Sequence, residues 1–151
     1  MFRRSTRERR GASAVEMAVA LPAFLLIVFG IFDYGRLFLV RHMMDSAARE
    51  AARYACVNTS TATVAQVKAK ADPQMNAIKG SLVGNTFTSD VFWIDAAVSS
   101  GAKQYPFSAA PWGASVGVTI EANYKPIFSL VFGGFASINL KSGCYMLSEA
   151  N

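Results

Sequence analysis

Residues 7–38 read RERRGASAVEMAVALPAFLLIVFGIFDYGRLF. A cluster of arginines ends at Gly11, and a long apolar run follows with a single charge, Glu16, near its front. The 21 residues from Ala12 to Phe32 would span roughly 31 Å as a helix, the thickness of a bilayer core. No other segment of the chain matches this one in length and apolarity, so a buried helix of a soluble domain lacks the partner it would need. Residues 12–32 are therefore expected to cross a membrane, with Ala14 and Phe32 near the two ends and Pro22 inside. A proline there removes one backbone hydrogen bond and is expected to bend the helix, which membrane segments tolerate.

Net charge of the whole chain is +5, and its distribution is uneven. Arg3, Arg4, Arg7, Arg9 and Arg10 stand before the apolar run against Glu8 alone, whereas the remainder holds 10 basic and 9 acidic side chains. The basic character thus belongs to the N-terminal segment. The later lysines are scattered and not interleaved with aromatics, which argues against a nucleic-acid surface. Arginines on one flank of an apolar segment are a topology signal, placing residues 1–11 in the cytoplasm and everything after Asp33 outside.

Three processing routes fit such an N-terminus. Signal-peptide cleavage after the apolar core requires small residues there, but DYGRLFLVRHMM is bulky and charged. An uncleaved anchor leaves Glu16 without a role. Cleavage between Gly11 and Ala12 gives it one. The new α-amino group on Ala12 would lie one helical turn from the Glu16 carboxylate, and the two charges could neutralise each other within or between subunits. An unpaired carboxylate in a membrane helix costs about 2.5–3.5 kcal/mol at the bilayer centre and less near an interface. Its place in the first turn of the mature helix also suits the macrodipole.

The basic leader, Gly11, Glu16 and the apolar helix together resemble the processing site of type IV pilins and pseudopilins. The likeness is closer to the TadE-like proteins of the tight-adherence (Flp) pilus system, where a second block, here AAREAARYA at 47–55, is equally characteristic. The tail VTIEANYKPIF…INLKSGCYM resembles that family's closing strands more loosely. Met17 departs from the aromatic residue that many Flp-type pilins carry. The resemblance implies a minor pilin or pseudopilin cut after Gly11 by a prepilin peptidase. It would be held in the inner membrane before assembly, with the C-terminal domain periplasmic or extracellular. Its partners would be other pilins and Tad assembly proteins. The alternative is an uncleaved periplasmic adaptor of the same apparatus. No nucleic acid, small-molecule substrate, metal or cofactor is implied.

From Asp33 to Cys56 there is no proline, one glycine and many good helix formers. Arg41, Asp45 and Arg49 are spaced for i,i+4 pairing. One kinked helix is expected from about Ala12 to Ala55, ended by VNTST. Ala47, Ala51 and Ala55, with Ala48 and Ala52, form a small-residue stripe fit for close packing, against either this chain's own sheet or neighbouring subunits. Residues 64–79 have helical spacing interrupted at Asp72–Pro73, where Asp72 would cap and Pro73 would start a second short helix.

Residues 89–98 and 137–147 read as strands, and 115–124 alternates Val116, Val118, Ile120, Ala122 and Tyr124 on one face. PIFSLVFGGF at 126–135 is an apolar loop, either a contact surface or a cover for the core. Cys56 and Cys144, alone in an oxidising compartment, are expected to form one disulfide; the alternative is two free thiols. The expected organisation is a leader at 1–11, a transmembrane and stalk helix at 12–56, and an extracytoplasmic α+β domain at 57–151. That domain would hold a short second helix and a small antiparallel sheet of three to four strands. His42, the one histidine, has no catalytic companions, and neither zinc, phosphate-loop nor redox motifs occur. A structural rather than enzymatic role is expected.

Overall fold

The structure, a computed structural model, describes residues 6–94, 103–128 and 137–149. Helix α1 runs unbroken from Thr6 to Val57 with Pro22 inside it, six residues further toward the N-terminus than the sequence reading placed its start. A tight turn through Asn58–Ala62 closes it, with Asn58 N and Nδ2 both donating to the Tyr54 carbonyl. The chain then doubles back as α2, Val64–Ile78.

The expected break at Pro73 does not occur. Helix α2 is continuous, and its cap is Thr63, not Asp72. Thr63 Oγ1 accepts from Gln66 N while the Gln66 side chain accepts from Thr63 N, a reciprocal capping box. Pro73 deprives the Ala69 carbonyl of its usual donor. Both residues are exposed, so water can supply the missing bond.

Strands β1 (Leu82–Ile94), β2 (Lys103–Gln104), β3 (Ser115–Tyr124) and β4 (Ile138–Leu147) make one antiparallel sheet in the order β2-β1-β3-β4. The α+β architecture is thus as read from the sequence, at the upper end of the expected strand number. Strand β1 starts earlier than its β-rich core suggests. Gly84 and Asn85 both adopt positive φ and shift the register between Leu82 and Phe87. Residues 95–98, assigned to this strand from sequence, lie outside the described residues, as do residues 129–136 of the apolar loop.

Strands β3 and β4 match the second half of α1 in length. Ten extended residues cover roughly 33 Å; the 24 helical residues from Asp33 to Cys56 cover roughly 35 Å. The sheet therefore lies along the helix, pinned at both ends. Tyr124 Oη donates to Asp33 Oδ1 at one end, and Glu149 N donates to the Cys56 carbonyl at the other. Val116, Val118, Ile120, Ala122 and Tyr124 share the buried face as the alternation predicts.

The alanine stripe serves this domain. Ala47, Ala48, Ala51, Ala52 and Ala55 are fully buried with Val67, Ala71 and Met75 of α2 and Val116, Val118 and Ile120 of β3. Methyl groups let a helix and a sheet approach α1 at once; longer side chains would force them apart. Arg41 pairs with Asp45 at 3.9 Å as expected. Asp45 takes its second contact from Ser142 Oγ of β4, rather than the anticipated Arg49.

Ala51→Leu is expected to destabilise the domain by about 1–3 kcal/mol or more through overpacking. Arg49→Gln, on the exposed face of the same turn, should stay within about 0.5 kcal/mol. Denaturant unfolding of both variants checks the difference.

Candidate anchoring and processing site

Two regions of α1 bear on function, its bare apolar half and the joint where the domain begins. Apolar side chains along the first half are uncovered: Val15, Met17, Val19, Leu21, Phe24, Leu25, Leu26, Ile27, Ile31 and Phe32 are all exposed. The helix contains an 18-residue window of mean hydropathy 2.4, none of it buried by the described residues. Water is a poor solvent for such a surface; lipid or the helices of other subunits must cover it.

Gly11 and Ala12 lie within the continuous helix, and Ala14 and Pro22 lie along its exposed stretch. Glu16 is exposed on the same surface, beside Val15, Val19 and Ala20. Its position one turn after Ala12 is therefore realised in helical form.

The joint contains the residue whose importance the sequence did not reveal. Asp33 ends the apolar run, yet it is only 2% exposed. Its carboxylate accepts from Tyr124 Oη at 2.9 Å, Ile127 N at 3.2 Å and Phe128 N at 2.9 Å. Burial alone would raise the Asp33 pKa. The two backbone donors, the Tyr124 hydroxyl and the charge of Arg36 outweigh it and hold the group below its ordinary 3.8. Burial, followed by the same contact with Asp33, pushes the Tyr124 hydroxyl up to about 12.

Arg36, one turn later, sits over the Tyr124 ring and donates to Ser81 Oγ at 3.2 Å and to the Gly80 carbonyl at 3.4 Å. Lys125 N donates to the Ser81 carbonyl at 2.9 Å. One helical turn of α1 thus gathers the end of β3, the segment after it and the start of β1. Phe128 continues past the joint and stacks on Phe29, centroids 4.4 Å apart and planes at 11°. The beginning of the apolar loop is therefore in contact with α1.

The expected disulfide is not formed; Cys56 and Cys144 are free thiols. Both face inward, but at different heights. Ser142 of β4 meets Asp45, and Glu149 meets Cys56. Cys144, two residues past Ser142, therefore lies near the level of Ala48. Eight helical residues separate that level from Cys56, about 12 Å along the axis. A disulfide needs Cα atoms within about 7 Å. Cys56 Sγ instead donates to the Arg53 carbonyl at 3.2 Å. Burial and the nearby Glu149 charge raise its thiol pKa above 9.0, so it stays protonated.

Among the described residues, no three His, Cys, Asp or Glu side chains are grouped to hold a metal ion. His42 is exposed on α1. Asp90 is engaged by Lys103 Nζ at 2.7 Å and Tyr105 Oη at 2.6 Å, and Glu121 by Lys141 at 2.7 Å. These exposed pairs are spent on the outer face of the sheet. An open depression of about 730 Å³ beside α1, lined by Arg49, Glu50, Arg53 and Lys70, mixes both charges.

Comparison with known proteins addresses the N-terminal third. Residues 11–53 match the family model of TadE-like protein. This part of the chain is similar to TadE-like proteins. The match starts at Gly11, contains Glu16 and the whole apolar run, and ends at Arg53 within the alanine-rich block. The closing strands lie outside it. No curated protein and no solved structure matches the chain. The similarity is confined to this segment, and the bare apolar helix within it fits a single-pass membrane anchor.

Replacing Asp33 with Asn removes the charge that holds two backbone N–H groups and one hydroxyl. A loss of about 1–3 kcal/mol is expected. The sign of the pH effect follows from the lowered pKa. Asp33 contributes its stability above pH 3.8 and loses it as the pH falls toward the lower folded-state value. Acid unfolding of wild type and Asp33→Asn, followed by circular dichroism, should show that the variant lacks this part of the acid sensitivity.

Proposed function

We propose that the protein is a minor pilin or pseudopilin of a Tad (Flp-type) pilus. A prepilin peptidase cuts it between Gly11 and Ala12, and its apolar helix holds it in the inner membrane until assembly. The observation that carries this reading is the pairing of a TadE-like segment starting at Gly11 with an apolar helix that the described residues leave almost entirely uncovered. A covering by lipid before assembly and by sibling helices afterwards accounts for both facts.

Orientation follows from charge. The arginines preceding Gly11 stay in the cytoplasm, which puts the peptidase site at the cytoplasmic face and the α+β domain outside. Glu16 then has two tasks. In the membrane it lies close to the interface, where a carboxylate is least costly. After cleavage it pairs with the α-amino group of Ala12 of a neighbouring subunit and sets axial register. The α+β domain contributes a surface for Tad assembly proteins rather than a reaction centre, which makes the protein structural in role.

Mass spectrometry of the protein from cells that also produce the peptidase is expected to find a mature N-terminus at Ala12. An intact leader in cells with working pili would overturn cleavage and leave an uncleaved adaptor. Glu16→Gln is expected to reduce processing or recovery of the chain in sheared filaments by an order of magnitude, roughly the 1.4 kcal/mol that a lost charge interaction readily accounts for. Unchanged maturation and unchanged filament content would remove the registration role.

A further inference from the structure

We infer that the Ile127–Phe128 tip is a second membrane contact, seated at the lipid boundary beside the transmembrane helix. This rests on the proposal that residues 12–32 span the bilayer. Asp33 is the first residue after that segment, and its carboxylate fixes the backbone N–H groups of both tip residues. The Phe128 ring then reaches back along α1 to stack on Phe29. Phe29 precedes Asp33 by one turn, about 6 Å deeper along the axis. A side chain flat against a membrane-embedded phenylalanine is carried into the membrane with it.

The remaining tip surface fits a lipid occupant. Ile127 is 64% exposed, and Ile31 and Phe32 on the last turn of the apolar segment are 68% and 71% exposed. Exposed apolar surface on the tip thus lies close to exposed apolar surface on the last turn of the helix. Lys125, exposed and two residues back, is placed to extend its ammonium toward headgroup phosphates. The domain would stand directly on the outer leaflet and not swing on a free stalk. Leaving the membrane for a filament would then require both the helix and the tip to exchange lipid for protein.

The full chain in lipid nanodiscs, with Cys56→Ala and Cys144→Ala, tests this through single nitroxide labels. Labels at Ile27→Cys, Ile127→Cys and Val57→Cys are read for relaxation by lipid-soluble oxygen and by a water-soluble nickel chelate. Val57 is exposed at the far end of α1 and reports water. The expected result is oxygen-dominated relaxation at Ile27 and Ile127, and several-fold greater nickel accessibility at Val57. Lys125→Cys, which keeps its backbone bond to Ser81, should read as headgroup and gives a second report should the Ile127 variant misfold.

Adding Asp33→Asn should move the Ile127 label toward water while Ile27 stays in lipid. A water-exposed Ile127 label beside a lipid-exposed Ile27 label would overturn the tip contact and leave the anchor standing. A water-exposed Ile27 label would overturn both. An Ile127 label shielded from both reagents would mean a protein partner and would also overturn the lipid contact.

Discussion

A single carboxylate at the end of an apolar helix organises the joint between anchor and domain. Asp33 sits where the exposed apolar segment gives way to the packed domain, and it is withdrawn from its surroundings. A buried carboxylate is costly unless its lone pairs are filled. Here they are filled by Tyr124 at the end of β3 and by two backbone N–H groups of the segment that follows. Those N–H groups belong to a stretch with no strand partner at that point, so the bond satisfies both sides. The helix gains a fixed exit geometry, and the domain gains a fixed height above the apolar segment.

The rest of the architecture extends from that joint. Because α1 continues without interruption to Val57, the helix that carries the apolar segment is also the spine of the domain. Its alanines admit α2 and the sheet together, and its length matches β3 and β4. A force or displacement applied to the apolar half passes directly into the domain core, which suits the proposed passage of the subunit from a membrane into an assembly. Glu16 lies at the opposite end of the same rod, four residues after the proposed new N-terminus. The two acids thus mark the two boundaries of the apolar segment, one paired within the fold and the other left on the exposed surface.

Much of this was legible because it is local. Hydropathy alone locates the apolar half of α1, the four-residue alanine repeat locates its packed half, and the alternation from Val116 to Tyr124 gives the buried face of β3 correctly. What was missed depends on contacts distant in sequence or on compensation. Asp33 looks like a simple boundary because its partners lie 91 to 95 residues away. Pro73 looks like a break because the sequence does not show that the carbonyl it frees faces solvent. Cys56 and Cys144 look like a pair because parity and compartment say nothing of height along a helix. The capping box at Thr63 and Gln66, by contrast, stands in the sequence as T-x-x-Q, a local signal less conspicuous than Asp72–Pro73.

Amide hydrogen exchange at Ile127 and Phe128 in the full-length chain tests the central claim most directly, since these two protons are held by the Asp33 carboxylate and by no strand neighbour. The account predicts slow exchange at both, comparable to the amides of β3, and loss of that protection in Asp33→Ala with β3 still protected. Fast exchange at both positions in the unaltered protein would show that the carboxylate does not hold this segment, and the anchor and the domain would then be joined by the helix alone.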